Sequence, residues 1–136
     1  MSIDALQRLF DGKVPMGFGS VVTVKTAVSL LIFSVGTIQQ FRAHKYLASL
    51  PKYTFPERGW FKHLICAHYA AECLLYLGIA IEVAPPGEML NATLATALVF
   101  IMVNLGASGK ETKAWSMDKF GVERVSSKYI IIPWVF

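Results

Sequence analysis

His68 and Glu72 stand four residues apart inside an otherwise apolar run, 64–83, with Tyr69 beside the histidine and Tyr76 one turn beyond the glutamate. In a helix that spacing puts the imidazole, the carboxylate and the second phenol on one face. A carboxylate so placed can orient an imidazole, and Tyr69 adds a hydroxyl or a ring face. Ionisable groups at membrane depth are costly unless they face protein or water, so such a stripe is by default a functional-site hypothesis. Interhelical hydrogen bonding is the competing reading, because polar side chains commonly join helices within membranes. Spacing alone leaves both open.

Two further polar pairs repeat the same interval. Gln40 and His44 lie beside Arg42 and Lys45, and Asn104 and Ser108 lie beside Gly106 and Gly109, which permit close approach of a backbone or a ligand. Taken singly, the first pair reads as solvated helix-end residues and the second as helix packing. All three clusters nevertheless fall toward the same end of their apolar runs, which predicts a ligand pocket opening on that side. His63, Cys66 and His68 have neither an HExxH nor a paired CxxC arrangement, so no metal centre is expected. Cys66 and Cys73, seven apart on one helical face, cannot bridge each other. The GFG fragment at 17–19 lacks the third glycine of a dinucleotide fingerprint.

The elements that must position these residues are membrane helices. Apolar residues make up 54% of the 136-residue chain and charged residues 16%; the mean hydropathy is +0.49. Runs 20–38, 64–83 and 89–107 are each 19 or 20 residues long, with Lys25 the lone charge in the first, Glu72 and Glu82 in the second and none in the third. About 20 helical residues cross a bilayer core of ~30 Å. The expected fold class is therefore an all-α membrane protein with three transmembrane helices, a membrane domain over 20–136 and an N-terminal amphipathic piece within 1–19 built on Ile3, Leu6, Leu9 and Phe10. No signal peptide is read in that segment. Pro85, Pro86 and Gly87 predict a tight hairpin, and Pro51 and Pro56 an extended loop. A separate interfacial helix is expected over 112–120, stopped by Gly121, and 129–136 is too short to span.

Charge sets the orientation. Segment 41–63 carries five Lys or Arg against Glu57, segment 82–90 two Glu and neither Lys nor Arg, and the region after Gly109 five basic residues against three acids. The positive-inside bias then places the first loop and the tail in the cytosol, with a lumenal N-terminus. A net charge of +4 is explained by that topology without nucleic acid.

The order of several short motifs is also familiar: Phe55-Pro56-Glu57-Arg58-Gly59-Trp60-Phe61, Ala67-His68-Tyr69-Ala70-Ala71-Glu72, Tyr76-Leu77-Gly78, Trp115 with Lys119-Phe120, and Ile132-Pro133-Trp134-Val135-Phe136. Over 36–136 the chain resembles the C-terminal domain of the steroid 5α-reductase family, and within it the fungal branch that reduces polyprenal. The resemblance implies a multi-pass endoplasmic-reticulum enzyme that uses NADPH to reduce a double bond conjugated to a carbonyl on a polyisoprenoid lipid, in dolichol synthesis. Hydride would go to the β-carbon, with protonation at the α-carbon. It further implies cofactor contacts from Gln40, His44, His68, Tyr69 and Glu72; Asn104 joins them as a cofactor-binding candidate, and Lys113 as a point charge for a cofactor phosphate. Departures are as informative. Where the family has His-x-Trp-Tyr, this chain has Lys113-Ala114-Trp115-Ser116, and Lys128 stands where Arg is common. The family's N-terminal helices, with their polarising acid and tyrosine, are not replaced by 1–19. A partial enzyme is therefore expected, with no catalytic residue assigned and completed by those helices or a partner subunit. A non-catalytic membrane remnant or subunit, and a membrane methyltransferase binding S-adenosylmethionine, are the alternatives.

Overall fold

A computed structural model describes residues 24–134, so the N-terminal piece expected within 1–19 and the start of the first apolar run lie outside the described residues. The elements are α1 (Val24–Ser49), a 3-10 turn (Gly59–Lys62), α2 (Ala67–Glu82), α3 (Ala92–Phe120) and the single-turn α4 (Val122–Val125). Among the described residues there is no strand, only an isolated parallel bridge between Leu64 and Tyr129.

All three long helices depart from the expected boundaries. α1 continues well past residue 38, because 39–48 offers neither Gly nor Pro; it stops just before Leu50-Pro51, where proline disfavours the helical conformation of its predecessor. Gln40 and His44 therefore stand inside a helix. α2 has 16 residues, about 24 Å. Its expected first turn is instead non-helical, because Ile65 N and Cys66 N donate to Tyr129 O and Ile130 O of the chain's tail. α3 runs unbroken for 29 residues, about 43 Å, so the separate interfacial helix expected over 112–120 is a continuation of the third apolar run. Lys110, Glu111, Lys113 and Ala114 are good helix formers, which explains why a change of polarity did not end it. Asn91 caps its start, accepting from Leu94 N at 3.1 Å, and Gly121, at φ 94°, ends it. By length and composition α1 and α3 can cross a membrane; α2 is too short to count by the same test.

α2 sits between the other two. Against α1 it runs antiparallel: Ser29 reaches Glu82 at one end, and Ala43 packs with Leu64 and Ala67 at the other. Lys25 Nζ reinforces the first end by donating to Ala84 O at 2.7 Å. Gly36 lies against the backbone of Ala71 and Leu75, and Gly78 against that of Ser29 and Phe33. Small residues at such crossings let helices approach where lipid supplies no hydrophobic drive. Toward α3 the connection is the expected hairpin, with Gly87 at φ 87° and Asn91 N donating to Ala80 O at 2.9 Å.

A cap closes the end opposite this hairpin. Tyr129 N donates to His63 O at 2.9 Å, Ile65 N to Tyr129 O at 2.8 Å, and Cys66 N to Ile130 O at 2.9 Å. Phe55, Ile65, Cys66, Val125 and Ile131 form its buried core. The Phe55 ring packs 5.0 Å from that of Phe120, which fixes the first loop to the end of α3.

Candidate functional site

A helical turn of 3.6 residues puts His68, Glu72 and Tyr76 along one side of α2, and Ala70, Leu74 and Leu77 along another. The polar side meets α1. His68 and His44 pack edge to face with ring centroids 5.5 Å apart, and the Tyr69 ring lies 4.3 Å and the Phe61 ring 6.3 Å from His68. His68 Nδ1 is buried and has no hydrogen-bond partner among the described residues. Glu72 is half-buried, and among the described residues it makes neither a hydrogen bond nor an ion pair. Gln40, also half-buried, stands one turn before His44 on α1. The structure therefore brings together His44, His68 and Tyr69, with Gln40 and Glu72 a turn away.

The remaining two candidates are placed differently. Asn104 and Ser108 are exposed on α3. Lys113 is half-buried, and its ammonium donates to Lys128 O at 2.6 Å and Ser126 O at 3.3 Å. Two of its three hydrogens therefore hold the tail, leaving one for any other acceptor.

Lys128 has a comparable duty. It is buried, and its Nζ donates to Phe61 O at 2.7 Å and Pro56 O at 3.4 Å while lying 4.3 Å from the Phe55 ring centroid. Burial pulls its pKa below the ordinary lysine value; nearby Glu57 opposes that pull and Arg124 adds to it. Arg124 itself pairs with Glu57 at 2.9 Å on the surface of the cap. The lysine that stands where Arg is common thus ties the first loop to the tail.

Two cavities open elsewhere, and neither is lined by any of the seven candidates. The larger, ≈ 640 Å³, is apolar and runs between α2 and α3 under the tail, with Leu74, Leu77, Leu98, Met102, Ile132 and Trp134 among its walls. The smaller, ≈ 300 Å³, lies at the loop end of α1 and is lined by Arg42, Tyr46, Arg58 and Trp60 among others. Sequence reasoning missed both. Consecutive Ile130, Ile131 and Ile132 were the available signal, since β-branched runs favour extended chain that packs on a neighbour.

Residues 12–136 match the family described as 3-oxo-5-alpha-steroid 4-dehydrogenase. The chain belongs to that family. Within the family it is similar to polyprenal reductase 1 of Oryza sativa subsp. indica, 33% identical over 114 residues, covering 79% of this chain and 31% of that protein. Polyprenal reductase 1 of Arabidopsis thaliana is 33% identical over 112 residues, covering 77% and 33%. The polyprenal reductase of Saccharomyces cerevisiae is 30% identical over 107 residues, covering 79% and 39%. The chain spans about a third of the length of the curated relatives it matches. No solved structure matches it significantly.

Proposed function

We propose that this chain is the cofactor-binding part of an NADPH-dependent polyprenal reductase of the endoplasmic-reticulum membrane, acting on the route to dolichol. The observation that carries the reading is His68 Nδ1, buried and unpartnered among the described residues, on a stripe shared with an unpaired carboxylate. A buried polar atom without a partner costs about 1–3 kcal/mol, and a bound polar group would relieve it. Imidazole, phenol and carboxylate together suit the amide and ribose hydroxyls of a nicotinamide nucleotide. When bound, NADPH would supply the hydride.

The chain's own share is binding and orientation. His44 buttresses His68 edge-on from α1, so the imidazole is held by contacts on both helices. Glu72 would accept from the cofactor, and Gln40 and Tyr69 would flank it, with Asn104 at the α3 side. Lys113 can offer a phosphate only its one remaining ammonium hydrogen. In this reading three helices cross the bilayer, with the hairpin lumenal and the cap cytosolic, and the substrate-polarising groups come from further helices of the full-length enzyme or from a partner subunit.

The test is a binding and turnover comparison in membranes containing this chain. NADPH should bind and S-adenosylmethionine should not, with polyprenal reduction appearing only when the family's N-terminal helices are fused or co-expressed. S-adenosylmethionine binding would replace the reading with a methyltransferase. Binding of neither nucleotide would leave a non-catalytic subunit, and robust turnover by the chain alone would show that its own helices build a complete site.

A further inference from the structure

The two cavities share Trp60, and their chemistry changes across it. On one side the ≈ 300 Å³ pocket is lined by Arg42 and Arg58, with Tyr46 between α1 and the loop, and no Asp or Glu lines it. The Arg58 guanidinium lies 5.9 Å from the Tyr46 ring centroid, within cation–π range. On the other side the ≈ 640 Å³ groove follows α2 past Leu74 and Leu77 and is walled on α3 by Leu98 and Met102. From Ala70 to Leu77 the groove advances about 10 Å along the helix axis, away from the basic pocket. A basic cleft at the loop end and an apolar channel leading down the helices form one amphipathic surface.

We infer that this surface binds an anionic glycerophospholipid of the surrounding bilayer, its phosphate between Arg42 and Arg58 and one acyl chain in the groove. Charge complementarity selects the occupant. Guanidinium forks fit phosphate oxygens in pairs, and an uncharged aldehyde or a zwitterionic headgroup gains far less from two of them. Neither His68 nor Glu72 lines this surface, and the inference does not rest on the reductase reading. The lipid would hold α1, the first loop and the tail together from outside.

Tryptophan quenching by chain-brominated lipids tests it. Trp60 and Trp134 both line the groove, and Trp115 does not, so the chain is studied with W115F in phosphatidylcholine vesicles. Brominated phosphatidic acid should quench at about five- to thirty-fold lower mole fraction than brominated phosphatidylcholine, the scale set by one to two basic side chains near an anionic surface. R42Q/R58Q should abolish that preference, whereas K52Q/K62Q, exposed residues lining neither cavity, should keep it. If the double variant does not fold, R42Q and R58Q singly decide, and each should lower the preference. Equal potency of the two lipids, a preference surviving loss of both arginines or unchanged in both single variants, or an equal loss in K52Q/K62Q would each overturn the inference.

Discussion

Gly36 of α1 and Gly78 of α2 are reciprocal contacts, each pressed against the other helix's backbone. A Cβ on Gly36 would sit 2.9 Å from Leu75 N, and one on Gly78 would sit 2.9 Å from Phe33 N. Backbone atoms cannot swing aside as a side chain can, so G36A or G78A must push the helices apart. We expect each to destabilise the pair by about 1–3 kcal/mol and to loosen the His44–His68 contact. Equilibrium unfolding in mixed micelles measures this; wild-type stability in both variants would show that the helices have room to spare.

Glu72→Gln separates a binding stripe from helix glue. The neutral amide keeps the shape and loses the charge-assisted acceptor, which is worth roughly 1.5–3 kcal/mol in a hydrogen bond. NADPH affinity should therefore fall by about ten-fold or more, while unfolding is nearly unchanged, since Glu72 has no described partner to lose. A stability loss with unaltered NADPH affinity would make the stripe a packing device.

Lys128→Met tests the tie between loop and tail. It leaves the Phe61 and Pro56 carbonyls without their donor, and about 1–3 kcal/mol should go with them. The pH dependence has a definite sign. Burial lowers the folded-state pKa below the ordinary lysine value of 10.5, so the unfolded chain binds more protons between those two values. Stability from this group should consequently rise with pH across that window, the charge penalty being fully present below it. Lys128→Met should lack this rise. Parallel stability–pH curves for the two proteins would remove the effect of burial.

Topology can be read by labelling. Lys119 Nζ lies 4.3 Å from the Tyr53 ring centroid, so the first loop and the end of α3 belong to the same side whichever side that is. Cysteines replacing Lys52 and Lys119 should both label from the cytosol. Lumenal labelling of both would invert the proposed orientation, and labelling of one from each side would contradict the fold itself.

Much of the frame was legible in the sequence. The hairpin at Pro85-Pro86-Gly87, the stop at Gly121 and the shared face of His68 and Glu72 follow from local chemistry, which needs no knowledge of the rest of the chain. Errors came where distant segments decide. Ile65 and Cys66 are as apolar as the helix that follows, yet they stay outside it because Tyr129 and Ile130 take their backbone bonds. Lys113 read as a point charge for a phosphate and Lys128 as a substitute for Arg, but their ammonium groups are occupied by carbonyls distant in sequence. Polarity after Gly109 suggested a break in the helix, although helix-forming side chains in water extend α3 as readily as apolar ones in lipid.

The bridge between Leu64 and Tyr129 also imposes an order on biosynthesis. Its second partner, Tyr129, is made 65 residues after Leu64, so closing the loop must wait for α2 and α3 to be made and inserted. Until then the amides of Ile65 and Cys66 have only water or lipid headgroups to bond, beside the very turn from which His68 projects. A nascent chain stalled within α3 would thus hold all of α1 and α2 and still lack the strap that sets where α2 begins. Such a chain would present Phe55, Ile65 and Cys66 uncovered, because Val125, Ile130 and Ile131, which close over them, have yet to be made.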